Sequence, residues 1–196
     1  GTAGITYQIT YSSGGLVVAQ ESMTVTAGDV VGLSISAGST SAASGSVLTT
    51  PLQINAVDAQ GNTATTFGGV ISIAISTGGS LSGVVSKSAS IGVAAFTDLV
   101  LRGTSGSSFT LTVSSPGLLS ATRNISLTFG TAASLRVSRS TSGAVSGSVF
   151  TTTPQLSVRD GAAADSNIVT TSNAIVTVAI SSGVGGTLIG STTATA

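Results

Sequence analysis

Hydrophobic and polar residues alternate with a period of two along most of this chain, in short runs. Tyr7, Ile9 and Tyr11 share one face of the first run, and Met23 and Val25 share one face of the second. Leu33 and Ile35 come next, followed by Ile54 and Ala56 alternating with Gln53 and Asn55. Ile71, Ile73 and Ile75 then alternate with Ser72, Ala74 and Ser76. Leu81, then Ala94 with Phe96, continue the series, and Phe109, Leu111 and Val113 alternate with three polar positions before Ile125 and Leu127 close it. Period two with small polar partners predicts strands with one buried face and one wet face. Breaks such as Ser12-Ser13-Gly14-Gly15 predict the turns between them. No window carries the three-to-four spacing of an amphipathic helix.

The series is written more than once. Gly45-Ser46-Val47-Leu48-Thr49-Thr50, running on to Asp58, returns as Gly147-Ser148-Val149-Phe150-Thr151-Thr152, running on to Asp160, 102 residues later. At the same offset Gly28 falls on Gly130, Leu33 on Leu135, and Tyr7-Gln8-Ile9-Thr10 on Phe109-Thr110-Leu111-Thr112. After the aspartate the second copy carries an insertion, so Asn62 falls on Asn167 and Ile73 on Val178. A period the size of a small domain means tandem modules. Residues 1–28 read as the C-terminal part of one module, 29–130 as a complete module, and 131–196 as the N-terminal part of another. About seven short strands in about 100 residues is the pattern of an immunoglobulin-like β-sandwich. The expected fold class is therefore all-β, with tandem sandwich modules.

Neither partial module supplies a counterpart of residues 90–102. Two explanations stand: a window from a longer array, or half-modules that neighbouring chains complete. The window is preferred, because lacking a core strand would weaken a module joined from two chains.

Composition narrows the function classes. Only 6% of residues are charged, the net charge is zero, and about a third of the 196 residues are Ser or Thr. Nothing here attracts nucleic acid, and no basic run suggests an anionic membrane surface. No apolar run approaches the ~18 residues of a membrane-spanning helix, so membrane insertion is not expected. A mean hydropathy of +0.56 without net charge favours association or a glycan coat. The absence of cysteine excludes disulfides and thiolate metal sites. Opening at Gly1 without a leader pattern, the chain reads as a mature or excised segment.

Several motifs together carry a family resemblance. They are Val57-Asp58-Ala59-Gln60-Gly61-Asn62, then Leu81-Ser82-Gly83, then Gly92-Val93-Ala94-Ala95-Phe96-Thr97-Asp98-Leu99, then Phe109-Thr110-Leu111-Thr112-Val113. Their order resembles tandem bacterial immunoglobulin-like repeats of large invasin-like and adhesin-like surface proteins. The resemblance implies sandwich modules acting mainly as extended stalks outside the cell. The second copy departs from it at Gly161-Ala162-Ala163-Ala164-Asp165-Ser166, where a longer turn is expected.

Candidate sites are few. Asp58 and Asn62, with Asp160 and Asp165 in the counterpart loop, have oxygens suited to calcium, but a turn closed by Asp58 and Asn62 around Gly61 is the preferred reading. Asp29 at the junction has Thr131 as its counterpart, which favours a solvated linker residue over a metal bridge. Asn124-Ile125-Ser126 satisfies the N-glycosylation pattern. Catalysis finds little support. With no histidine or cysteine, a nucleophile would need something like Ser86-Lys87-Ser88, and a lysine that discourages edge pairing is the plainer account. A sugar platform would need clustered aromatics; Tyr7, Phe96 and Phe109 fall on core positions, which leaves Tyr11 alone.

The expectation is a non-enzymatic structural module of an extracellular filament or cell-surface stalk, without cofactors. It would self-associate into a fibre, in one version head to tail by half-module complementation. The alternative is an adhesin module binding a receptor or glycan through its loops.

Overall fold

In a computed structural model, which describes residues 1–161, 166–183 and 185–196, the chain forms two compact units, Gly1–Thr128 and Phe129–Ala196. Among the described residues every regular element is a strand.

The first unit opens with a hairpin of β1 (Thr6–Tyr11) and β2 (Ala19–Thr24), with Thr6 opposite Thr24 and Tyr11 opposite Ala19. Its outward rungs are polar pairs. Thr6 and Thr24 hydroxyls lie 2.8 Å apart, Gln8 donates to Ser22 at 2.7 Å, and Gln20 donates to Thr10 at 3.2 Å.

The complete module follows. It contains β3 (Gly32–Ala37), β4 (Ser41–Ala43), β5 (Leu52–Val57), β6 (Val70–Ile75) and β7 (Ser80–Ser82). After these come β8 (Ser86–Ser88), β9 (Val93–Phe96), β10 (Val100–Arg102), β11 (Ser108–Ser114) and β12 (Ala121–Thr128). One sheet has the order β3-β5-β9 and the other β4-β12-β11-β6-β8, while β7 and β10 pair separately. All pairings are antiparallel except β4 with β12. One core joins the two sheets. Leu33, Leu52, Ile54 and Phe96 from the first pack with Ile71, Ile73, Leu111, Val113, Ile125 and Leu127 from the second. This is an immunoglobulin-like sandwich, and the period-two alternation is what aims these side chains inward. Each such side chain contributes about 1.5–3 kcal/mol when fully buried.

The chain changes sheets between β3 and β4. A register slip between Ile35 and Ala37 bends β3, and Gly38 follows with φ 147°. A Cβ on Gly38 would lie 2.6 Å from Leu52 Cδ1, so a residue without one lets the strand cross over the core. Three short strands go beyond the seven expected: β4, β8 and β10. Each has three residues, too few to carry a readable alternation.

The second unit repeats the front of this sandwich. It holds β13 (Ser134–Arg139), β14 (Gln155–Arg159), β15 (Ile175–Thr177) and β16 (Thr193–Thr195), paired β13–β14 and β15–β16. The slip in β13 falls between Val137 and Arg139, at the counterparts of Ile35 and Ala37. Val158 and Val176 are buried, but Leu135, Leu156 and Val178 are exposed.

Candidate functional site

The strongest polar constellation in the chain is the turn that ends β5. Asp58 donates its backbone N–H to the Asn62 carbonyl at 2.9 Å and accepts the Gly61 N–H at 3.0 Å. Gly61, at φ 83°, takes the left-handed conformation that the turn requires. The side chain then closes the loop: Asp58 Oδ1 accepts the N–H groups of Gln60 at 2.9 Å and Asn62 at 2.8 Å. Asp58 Oδ2 accepts from Asn62 Nδ2 at 3.0 Å and from the backbone N–H of Gly28 at 2.9 Å. Gly28 belongs to the linker between β2 and β3. Asn62 reaches further back, since its Oδ1 accepts the Ala3 N–H at 3.0 Å. One turn thus holds three separated stretches of chain.

The same device ends β14. Asp160 Oδ2 accepts the Gly130 N–H at 2.8 Å and Asn167 Nδ2 at 2.9 Å, and Oδ1 accepts the Asn167 N–H at 2.8 Å. In both units the clamped linker glycine precedes its aspartate by 30 residues.

Electrostatics follow from these donors. The Asn62 side-chain amide and then the Gly28 N–H, with smaller help from the turn N–H groups, hold the Asp58 carboxyl down at about 2 against the opposing effect of burial. At Asp160 burial pushes the pKa up, but the bonds from Gly130 and Asn167 outweigh it and the net shift is downward.

The donor set does not fit a hard cation. Calcium needs six to eight oxygens, and both carboxylates are instead surrounded by N–H groups. Asn62 Oδ1 is already taken by the Ala3 N–H. Asp165, the fourth calcium candidate, lies outside the described residues. Asp29 is exposed in the linker.

The remaining candidates are scattered. Asn124 is exposed on β12, within a regular strand rather than a loop, and its Oδ1 accepts the Thr110 hydroxyl at 2.9 Å. Lys87 sits on β8, an edge strand, and donates to the Ala95 carbonyl of β9 at 2.9 Å, tying the rims of the two sheets together. Ser86 meets Ser72 at 3.0 Å rather than the lysine. Asp98 accepts the Val84 N–H at 3.1 Å through both oxygens. None of these pairs a nucleophile with a base.

Phe96 and Phe109 are buried as expected, but Tyr7 is not: it is 39% exposed. Alternation places Tyr7 with Ile9 and Tyr11 on one face of β1, but no residue of β1 is buried, so that face is not part of the core. Tyr11, whose hydroxyl donates to Glu21 at 2.6 Å, is exposed as well.

No protein-family model matches this sequence, and no curated protein matches it significantly. Among solved structures, a β-glycosidase from Bacteroides vulgatus is similar at 18% identity and a TM-score of 0.45, over 62% of this chain and 17% of that one. A glycosyl hydrolase family 2 member from Bacteroides cellulosilyticus DSM 14838 is similar at 16% identity and a TM-score of 0.44, over 62% and 18%. A β-glucuronidase from Parabacteroides merdae follows at 17% identity and 0.38, over 56% and 15%. This chain therefore spans less than a fifth of the length of each enzyme. Likeness at this level transfers neither substrate nor reaction.

Proposed function

We propose that this chain is a non-catalytic, tandem structural segment of an extracellular filament or cell-surface stalk. The observation that carries the reading is the repeated clamp, in which one aspartate per module grips the linker glycine that leads into it. A joint fixed by charge-assisted hydrogen bonds sets how each module leaves its linker. Load is then borne by the strand ladders. The charge-poor, hydroxyl-rich surface suits lateral packing or a glycan coat better than capture of a charged partner.

The test is force spectroscopy and electron microscopy on purified native material. Regularly spaced unfolding steps and elongated particles are expected. Compact, unassociated particles that instead bind a glycan or receptor saturably through a single module would replace this reading with the adhesin one.

A further inference from the structure

The first and last segments of the complete module run side by side in the same direction. Where β3 begins, Leu33 donates to the Leu119 carbonyl at 2.9 Å and Leu119 donates to the Val31 carbonyl at 3.0 Å. Gly32 and Leu119 thereby form a parallel bridge just ahead of β12. Past the crossing at Gly38 the chain joins β12 itself, with Ser41, Ala42 and Ala43 opposite Ser126, Leu127 and Thr128. Ser126 donates to the Thr40 carbonyl at 3.0 Å, and Ser44 donates to the Thr128 carbonyl at 2.9 Å. The Thr128 hydroxyl adds a bond to the Ala42 carbonyl at 3.3 Å.

Between these two patches one side chain spans the crossing. Arg123 of β12 donates through Nη1 to the Gly38 carbonyl at 2.9 Å. A Cβ on Gly38 would lie 2.8 Å from that same nitrogen, so the guanidinium rests directly on the bend. The opening segment, from Val31 to Ser44, is therefore fastened to the closing one at its start, middle and end.

Direction gives this seam its mechanical meaning. The chain enters the module ahead of β3 and leaves it after β12. Tension along the chain pulls the opening segment toward its N-terminus and β12 toward its C-terminus. Two parallel segments pulled in this way slide past each other, so every bond between them is loaded at once. Parallel ladder bonds are evenly spaced, which shares the load along the seam. The antiparallel pair β11–β12 behaves differently when its neighbouring ends, joined by the Gly106 N–H on the Leu127 carbonyl at 2.7 Å, are drawn apart. It opens one bond at a time.

We propose that the seam of residues 31–44 against residues 119–128 is a shear latch that sets the module's resistance to end-to-end force, with Arg123 locking its middle. This deepens the load-bearing reading above and rests on it for its use. Arg123 acts as a positioning residue. It holds the bend against the last strand, so that the two bridged patches resist together rather than in turn. Forced unfolding follows the unfolding rate, which here is the rate of shearing the seam.

The chain has no cysteine, so paired cysteines give defined handles for single-molecule pulling. Full-length Asp29→Cys/Thr131→Cys is pulled along the seam, and full-length Thr104→Cys/Thr131→Cys is pulled across it; all three positions are exposed. Rupture along the seam is expected at about twofold or more the force needed across it. Adding Arg123→Gln to each pair should lower the first force by about a third, through loss of a charge-assisted bond, and leave the second unchanged. The length of chain released at rupture shows that each variant was folded. Equal forces in the two directions, or an Arg123→Gln change that lowers both alike, overturn the latch and leave the stalk reading standing. Native material that is compact and binds a glycan through a single module overturns the stalk reading alone, because the two pulling directions compare one module with itself.

Discussion

Leu111 and Ile9 hold the same place in two copies of one strand, yet Leu111 is fully buried while Ile9 remains partly exposed. The same contrast separates Leu33 from Leu135 and Ile73 from Val178. Alternation decides which face of a strand is apolar. Whether that face is dry depends on a second sheet, and among the described residues only the complete module has both sheets packed on one core.

The largest expected break in the comparison is Leu111→Ala. Removing a fully buried leucine should cost about 3 kcal/mol in chemical unfolding of the first unit, whereas Ile9→Ala should cost less than about 1 kcal/mol. Equal losses would mean that the hairpin already has a covering partner.

Asp58→Ala should come next, lowering the thermal midpoint of the first unit by several degrees, because the turn and linker N–H groups lose their shared acceptor. The sign of the pH dependence follows from the depressed pKa. Asp58 contributes fully above the ordinary carboxylate value of about 3.9, and the contribution is lost as pH falls toward about 2. Asp58→Asn should flatten that acid limb, as read by unfolding curves at successive pH values. Asp160 shifts in the same direction, so the second unit should loosen in acid as well.

A change in the opposite direction sharpens the contrast. Ile91 is a β-branched residue at φ 51° in the two-residue turn between Ser90 and Val93. Ile91→Asn should stabilise the complete module by about 1 kcal/mol, since asparagine tolerates that conformation, and leave the open half untouched. The smallest effect should come from Thr6→Ala on the wet face of the hairpin, within about 0.5 kcal/mol.

Much of this was legible in the sequence. Ile54, Ile71, Phe96, Phe109 and Leu111 were readable as core because each sits in a run long enough to show its period. Leu48, Leu99 and Leu101 were not, though all three are buried. Leu99 and Leu101 flank a single position in a three-residue strand, and Leu48 lies in a bridge segment held by the Leu99 carbonyl. The turn at Asp58 was readable from its Asp, Gly and Asn. Its grip on Gly28 was not, because local turn chemistry does not reach 30 residues back. The available signal was that glycine and aspartate recur together at one offset, as Gly130 and Asp160.

The polar rungs on the outer faces have a consequence for association in salt. Thr6 with Thr24, Gln8 with Ser22, Ser72 with Ser86 and Thr110 with Asn124 are neutral pairs. Surfaces built this way have almost no ion atmosphere to compress, so ionic strength has little purchase on contacts made through them. If the chain packs laterally as proposed, such contacts should hold from fresh water to brine and come apart in agents that compete for hydrogen bonds instead.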